Sequence, residues 1–598
     1  KEIFFVVIST SITLAIVFLP VLFLQGFVGS LFREFGVVLA CAVLVSAFVS
    51  LTITPVLNVF LNRKSAQHGS FYNKTEPFFS GMESGYKKLV ERFIKRRWTA
   101  WGIVGLCLII VFIIGKNLQS EIAPLEDKSN VRLQVTGPEG ASYSYMSEIG
   151  DKIGNFLIDS IPERDFSFIS TPGYSSSGVN SSNGRIGLTP TSERKKSQST
   201  IVKELNAKFT RFNNVRVFAI EEQTISVGLG SKGSLPVQFV IQNLDFEKLK
   251  AVIPKFMDEV KNDNTFQNAD VNLKFNKPEI DLTIDRMKAR EFGLTVTDIA
   301  EVLQSAFSGG RLAYFIMNGK QYQVICQVEL KDRQKPVDIS NLYVRNSKGN
   351  NIPLTAVTNI ISNANPPALY HFNRFKAATI SASLADGKTI GDGVEAMQVI
   401  ADKLLDESFQ TSLSGPSRDY AESSSNTAFA FMLALVLIFL VLAAQFESFR
   451  DPLIIMLTVP LAIAGAFLSL WIFGQTLNIF SEIGMIMLIG LVTKNGILIV
   501  EFANKKRAMG LSKTQAVIEA ATQRLRPILM TSLATSLGAL PIALSLGAAS
   551  TSRVPLGIVV VGGILFSLVL TLFVIPAVYT FISGKHKVDN QTIENLNP

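Results

Sequence analysis

Lys494 and Asn495 stand inside GLVTKNGILIVEF, Gly490 to Phe502, a run that otherwise reads as most of a membrane helix. An ammonium at that depth costs at least about 2.5–3.5 kcal/mol on insertion scales, so a lysine kept there faces a bundle interior and pairs with a carboxylate. As a helix the apolar stretch 479–502 would be about 36 Å long, with Lys494 about 12 Å from its basic end. Snorkelling covers part of that distance and is the competing reading. Thr493 and Asn495 keep the neighbourhood polar, while Gly490 and Gly496 let another helix approach closely. Arg524 and Thr531 lie seven residues apart, on one helical face entering the membrane from the same basic side. A simple charged anchor is the alternative for Arg524. Glu482 and Glu501 flank Lys494 near opposite ends of its own helix, and the other apolar runs hold no Asp or Glu at depth. We therefore expect the carboxylate that balances Lys494 to lie outside this sequence.

Other chemistries fit the residues poorly. DGKT, Asp386 to Thr389, resembles the end of a phosphate-binding loop, but Ala382 stands where its first glycine is required. HExxH, paired CxxC and Ser/His/Asp constellations are absent, and we expect no enzyme activity. His68, His371 and His586 lie far apart and suggest no metal site, and Cys41, Cys107 and Cys326 imply no disulfide framework. No cofactor is expected. Energy would come from an ion gradient acting through protonatable groups in the membrane.

The elements that must position Lys494 follow from hydropathy. The chain has 598 residues, 48% of them hydrophobic, with a mean hydropathy of +0.32. Eight stretches are long and apolar enough to span a bilayer: 3–24, 35–61, 98–115, 426–445, 452–473, 479–502, 526–546 and 555–583. The net charge of +9 sits largely in short loops, which argues for a membrane protein rather than a nucleic-acid binder. Residues 62–97 carry nine Lys/Arg and 503–527 carry six, so both face the cytoplasm, which puts 118–420 outside. Residues 71–98 mix aromatic and basic side chains, as in an amphipathic helix on the inner leaflet.

The sequence also repeats itself. At a constant offset of 521, Thr10-Ser11 meets Thr531-Ser532, Leu19-Pro20 meets Leu540-Pro541, and Gly26, Gly36, Ser46 and Pro55 meet Gly547, Gly557, Ser567 and Pro576. Such a register points to duplication. The repeat partner of Lys494 would fall at position −27, before Lys1, so we expect preceding segments.

Region 118–420 alternates strand-like and helical patterns. Strands at 131–137, 165–171, 185–190 and 215–220 with helices at 144–157 and 197–208 give a βαββαβ unit. A second such unit begins at 236–242, with a helix at 246–261 and a strand at 269–275. It resumes at 377–385 with a helix near 390–406, leaving 278–365 as an insertion. Within the insertion, Thr295 and Asp298 have capping-box spacing. The expected fold class is thus a polytopic α-helical bundle plus an α+β region of ferredoxin-like units.

LFREFGVVLACAVLVSAFVSLTITPVL (31–57), LAAQFESFRDPLIIMLTVPLAIAG (442–465), GLVTKNGILIVEFAN (490–504) and RLRPILMTSLATSLGALP (524–541) resemble the resistance–nodulation–division transporters. The resemblance covers essentially the whole chain and is greatest to the hydrophobe/amphiphile multidrug efflux branch. It implies a proton-driven homotrimer in a Gram-negative inner membrane, passing small amphiphiles through a periplasmic adaptor to an outer-membrane channel. It implies that Lys494 pairs with aspartates of another helix, that Arg524 and Thr531 complete the proton relay, and that Asn495 adjoins it. It also implies the domains. Residues 1–61 would end the N-terminal membrane half, 62–97 form a cytoplasmic or interfacial linker, and 98–117 a span. Porter subdomains would occupy 118–222 and the split 223–277 and 366–420, around a docking insertion at 278–365. Five spans would fill 421–584 and a cytoplasmic tail 585–598. In the substrate pocket Phe168 and Phe218 are in matching places, whereas Tyr174 replaces a loop phenylalanine, and Leu188 and Ile220 replace other aromatics. Simple strand-core roles are the alternative. Two other functions compete. Heavy-metal export needs soft ligands, and Met146, Met257, Met287, Met317 and Met397 are isolated. A translocation accessory or passive scaffold would not need a deep lysine.

Overall fold

The computed structural model describes the chain except residues 1, 20–21, 23–25, 62–69, 174–177, 223, 225–234, 334–335, 367, 386, 546–550 and 585–598. Helices α1 (Glu2–Val17), α2 (Gly26–Leu61), α3 (Ser70–Lys95) and α4 (Thr99–Asn117) precede the mixed region. Among the described residues seven helical stretches are long and apolar enough to cross a bilayer. Of the expected first span, 3–24, helix α1 covers Glu2–Val17, and residues 20, 21, 23 and 24 lie outside the described residues.

The mixed region opens with β1 (Asn130–Thr136), α5 (Tyr143–Ser160), β2 (Arg164–Ser170), β3 (Ser181–Leu188), α6 (Gln198–Phe209) and β4 (Arg216–Glu221). The strands form an antiparallel sheet in the order β2-β3-β1-β4. Alternation decides its faces: Val131, Leu133 and Val135 are buried on one side of β1. Against them pack Met146, Ile149, Ile153 and Leu157, which share one face of α5. Ser142 and Ser197 cap α5 and α6, accepting from the amides of Tyr145 and Thr200 at 3.3 and 3.2 Å.

A second unit comprises β5 (Val237–Gln242), α7 (Phe246–Asn262) and β6 (Phe266–Val271). An inserted module follows: β7 (Lys277–Ile284), α8 (Arg286–Glu291), α9 (Val296–Leu303), β8 (Gly310–Met317), β9 (Lys320–Cys326), β10 (Tyr343–Arg345), β11 (Asn351–Pro353) and β12 (Thr358–Asn365). The unit resumes with β13 (Tyr370–Phe372), β14 (Phe375–Leu384), α10 (Ile390–Leu404) and β15 (Gln410–Leu413), and β5 pairs with both β14 and β15. Phe239 stacks on Phe256 at 6.0 Å in its core. The module has a separate core of Ala289, Leu294, Ile299, Val344, Leu354 and Val357, and the β7–β12 pair joins it to the second unit. Thr295 and Asp298 do form a capping box at α9, at 3.2 and 2.8 Å. Thr389, from the discarded DGKT, caps α10 in the same way with Asp392.

The chain then returns to the bundle with α11 (Gly415–Phe446), α12 (Arg450–Met456), α13 (Thr458–Ile472), α14 (Ile479–Ala508), α15 (Lys513–Ala543) and α16 (Val554–Ile582). Helix α16 is apolar almost throughout and packs on α13, α14 and α15. Amphipathic α3 lies against α15 and α16.

Candidate functional site

Helix α14 begins under a firm cap: the buried Asn478 side chain accepts from the amides of Phe480 and Ser481 at 3.1 Å. Lys494 follows 15 residues later, half-buried, about 22 Å along the helix. No described carboxylate or other polar group is within bonding distance of it. Gly490 admits α1 at this level: a Cβ there would stand 2.7 Å from Leu14 Cδ1 and 3.2 Å from a Val17 methyl. Gly496 does the same for Ile455 and Thr458, both at 3.3 Å.

The next residue ties α14 to α15. Asn495, 4% exposed, donates from Nδ2 to Ser532 Oγ at 3.1 Å. Thr531, beside Ser532, donates to its own helix at Ile528 O, 3.2 Å away. Further along this antiparallel pair the Arg524 guanidinium lies over the Phe502 ring, 4.6 Å from its centroid. Its buried Nε has no hydrogen-bond partner among the described residues. Ser536 on α15 and Thr571 on α16 also bury hydroxyls without a hydrogen-bond partner among the described residues.

Sequence reasoning missed a second buried polar cluster. Asp451, 5% exposed at the start of α12, accepts from Asn504 Nδ2 at 3.0 Å, and the buried Tyr579 hydroxyl donates to Asn504 Oδ1 at 2.5 Å. The three residues come from α12, α14 and α16. Only a carboxylate at the edge of an apolar run hinted at it. Another missed feature is a clamp: Arg526 on α15 meets Glu76 at 2.9 Å and Glu83 at 2.6 Å, both from α3.

In the mixed region a cavity of about 1060 Å³ lies along β4, between the two units. Phe218, Ile220, Glu121, Glu221, Lys203 and Lys388 are among its lining. Burial pushes the Glu121 and Glu221 carboxyls above the usual carboxylate range, against hydrogen bonds that pull the other way. Glu121 also joins the cavity to the bundle. Thr476 Oγ1 donates to Glu121 Oε1 at 2.5 Å, Thr476 accepts from Asn478, and Ser120 and Leu477 form a single parallel β-bridge.

The sequence-derived pocket residues divide. Phe168 on β2 and Phe218 and Ile220 on β4 lie on the helix-free face of the first sheet, whereas Leu188 is 5% exposed in its core. Tyr174 lies outside the described residues. Met146 belongs to the first core and Met257 and Met397 to the second, so Met146 sits in a different core from the other two.

The match of residues 1–583 to the family model described as AcrB/AcrD/AcrF decides the family. The chain belongs to it. The AcrB/AcrD/AcrF family comprises membrane transporters, and the seven long apolar helical stretches among the described residues fit a multi-pass membrane protein. The chain is also similar to an uncharacterized transporter of Haemophilus influenzae, 32% identical over 98% of this chain. The chain spans 57% of that relative's length.

Proposed function

We propose that the intact protein is a proton-driven exporter of hydrophobic and amphiphilic compounds, of the hydrophobe/amphiphile branch, in a Gram-negative inner membrane. The observation that carries this reading is Lys494, half-buried midway along α14, one residue from the Asn495–Ser532 link to α15. A lysine in that setting responds to the charge opposite it, and protonation of its acidic partners would change the packing of α14 against its neighbours. Arg524 and the exposed Thr531, seven residues apart along α15, would pass the proton onward. Region 118–420 would be periplasmic, two ferredoxin-like porter units with the cavity along β4 as the substrate route and the inserted module as the docking subdomain.

The β8–β9 hairpin supports the homotrimer. It is a lone two-stranded ribbon, exposed from Arg311 onward, that shows Leu312, Tyr314, Phe315, Ile316 and Ile325 to solvent. An isolated hairpin is marginal in water, and this much apolar surface calls for a protein partner. A neighbouring protomer is the partner we assign, with a periplasmic adaptor and an outer-membrane channel completing the export path.

The test is Lys494→Ala in the intact protein. Export from cells should be abolished while the protein stays folded and trimeric. Near-normal export by that variant would end the reading.

A further inference from the structure

The face of the first sheet that carries no helices is not an aromatic wall. Cross-strand register sets Phe168, Arg185, Arg132 and Ile220 in one row across β2, β3, β1 and β4. The next row on the same face reads Ser170, Asn183, Gln134 and Phe218. Facing residues in such rows share one side of the sheet, with neighbouring strands about 4.8 Å apart. Two guanidiniums thus stand side by side at the centre, flanked by apolar side chains at the edges.

One carboxylate serves both. Glu222 Oε1 accepts from Arg185 Nη2 and forms an ion pair with Arg132 Nε, each at 3.1 Å. Each guanidinium carries five N–H donors, so Glu222 engages a minority of them and leaves one positive charge unbalanced. The side chains of Arg132 and Arg185 retain 27% and 39% of their exposure, so the remaining donors stay reachable. A purely structural ion pair needs one guanidinium, and a pocket for neutral hydrophobes needs none. The adjoining cavity has the same bias. It shares Phe218 and Ile220 with this face and adds Lys203, Lys261 and Lys388 against Glu121 and Glu221. Its Arg216 is matched by Asp270 at 2.9 Å.

We propose that this face recognises anionic amphiphiles. Arg132 and Arg185 hold a carboxylate, sulfonate or phosphate ester head group, while Phe168, Phe218 and Ile220 cover the apolar body. The forked N–H geometry of arginine suits such oxyanions, and charge-assisted bonds are roughly twice as strong as neutral ones. Glu222 keeps the pair apart and oriented when no anion is present, and it competes with the ligand for the same donors. The inference rests on the exporter reading and names its substrate class.

Two probes with one aromatic body isolate the head group: 1-anilinonaphthalene-8-sulfonate and neutral N-phenyl-1-naphthylamine. The intact protein should prefer the sulfonate. Arg132→Met with Arg185→Met should lower the sulfonate-to-neutral affinity ratio by about tenfold or more. Glu222→Gln, which frees both guanidiniums, should tighten the sulfonate several-fold, a gain that misfolding does not produce. A wild-type protein that binds the neutral probe equally well would overturn the proposal. So would an unchanged ratio in the double arginine variant, or weaker sulfonate binding by Glu222→Gln. Failure of the exporter reading is separately visible, because the Lys494→Ala comparison measures movement of either probe and not the ratio of their affinities.

Discussion

Tyr86 and Pro576 form a pair whose coupling can be worked out before it is measured. Proline lacks an N–H, so Pro576 inside α16 leaves the Leu572 carbonyl without its helical donor. The Tyr86 hydroxyl, from α3, donates to that carbonyl at 2.6 Å in a buried contact. Burial pushes the phenol above its usual range, so it keeps the proton it donates. Tyr86 and Phe93 also meet the Phe573 ring, at 5.7 and 5.8 Å, so Tyr86→Phe should preserve packing while removing one bond. An orphaned buried carbonyl costs about 1–3 kcal/mol. Pro576→Ala restores an N–H four residues beyond Leu572, and in that background Tyr86→Phe should cost only a few tenths of a kcal/mol. The coupling should therefore be about 1–2 kcal/mol, read from unfolding free energies of the purified intact protein in a double-mutant cycle. Equal losses in the two backgrounds would refute the assignment of Tyr86 to the carbonyl that Pro576 frees.

Further predictions concern the polar clusters. Asn504→Leu should destabilise the bundle by about 3 kcal/mol or more, because it strips a buried carboxylate of its side-chain donor. Adding Asp451→Leu should recover part of that loss in the same unfolding assay. Glu221 has a folded-state pKa above its unfolded value, so its favourable contribution is full at acid pH and is lost as pH rises through the folded value. Glu221→Gln should accordingly melt higher than wild type near pH 7.5 and match it near pH 4. A pH-independent difference would show that burial of this carboxyl is not the cause.

Much of the mixed region was legible because its elements are amphipathic and short. The strand read at 131–137 is observed at Asn130–Thr136, and the helix at 197–208 at Gln198–Phe209. Strand β3 begins earlier than the apolar signal, since Ser181, Ser182 and Asn183 pair without an apolar side chain among them. The strand placed at 269–275 runs instead over Phe266–Val271; Leu273, buried just beyond it, drew the apolar pattern forward. Helix α11 starts at Gly415, 11 residues before the apolar run, because helical hydrogen bonding continues through polar sequence where hydropathy does not.

Within the site, residue type and spacing marked out Lys494, Asn495, Arg524 and Thr531, and the structure brings Asn495 against the residue after Thr531. What stayed hidden is pairing between distant helices. Nothing in the sequence joins Asp451 to Asn504 and Tyr579, Arg526 to Glu76 and Glu83, or Tyr86 to Leu572, since each contact depends on how the helices are packed. The opposed faces of β3, with Arg185 turned outward and Leu188 inward, follow from register rather than from hydrophobicity alone.

The most direct measurement is proton flux. The intact protein should be reconstituted in vesicles with a pH-sensitive dye and an imposed gradient, and substrate added. Wild type should dissipate the gradient when substrate is present, and Lys494→Ala should show no substrate-dependent flux although it binds substrate. Equal substrate-dependent flux in the two proteins would contradict a central role for the half-buried lysine of α14.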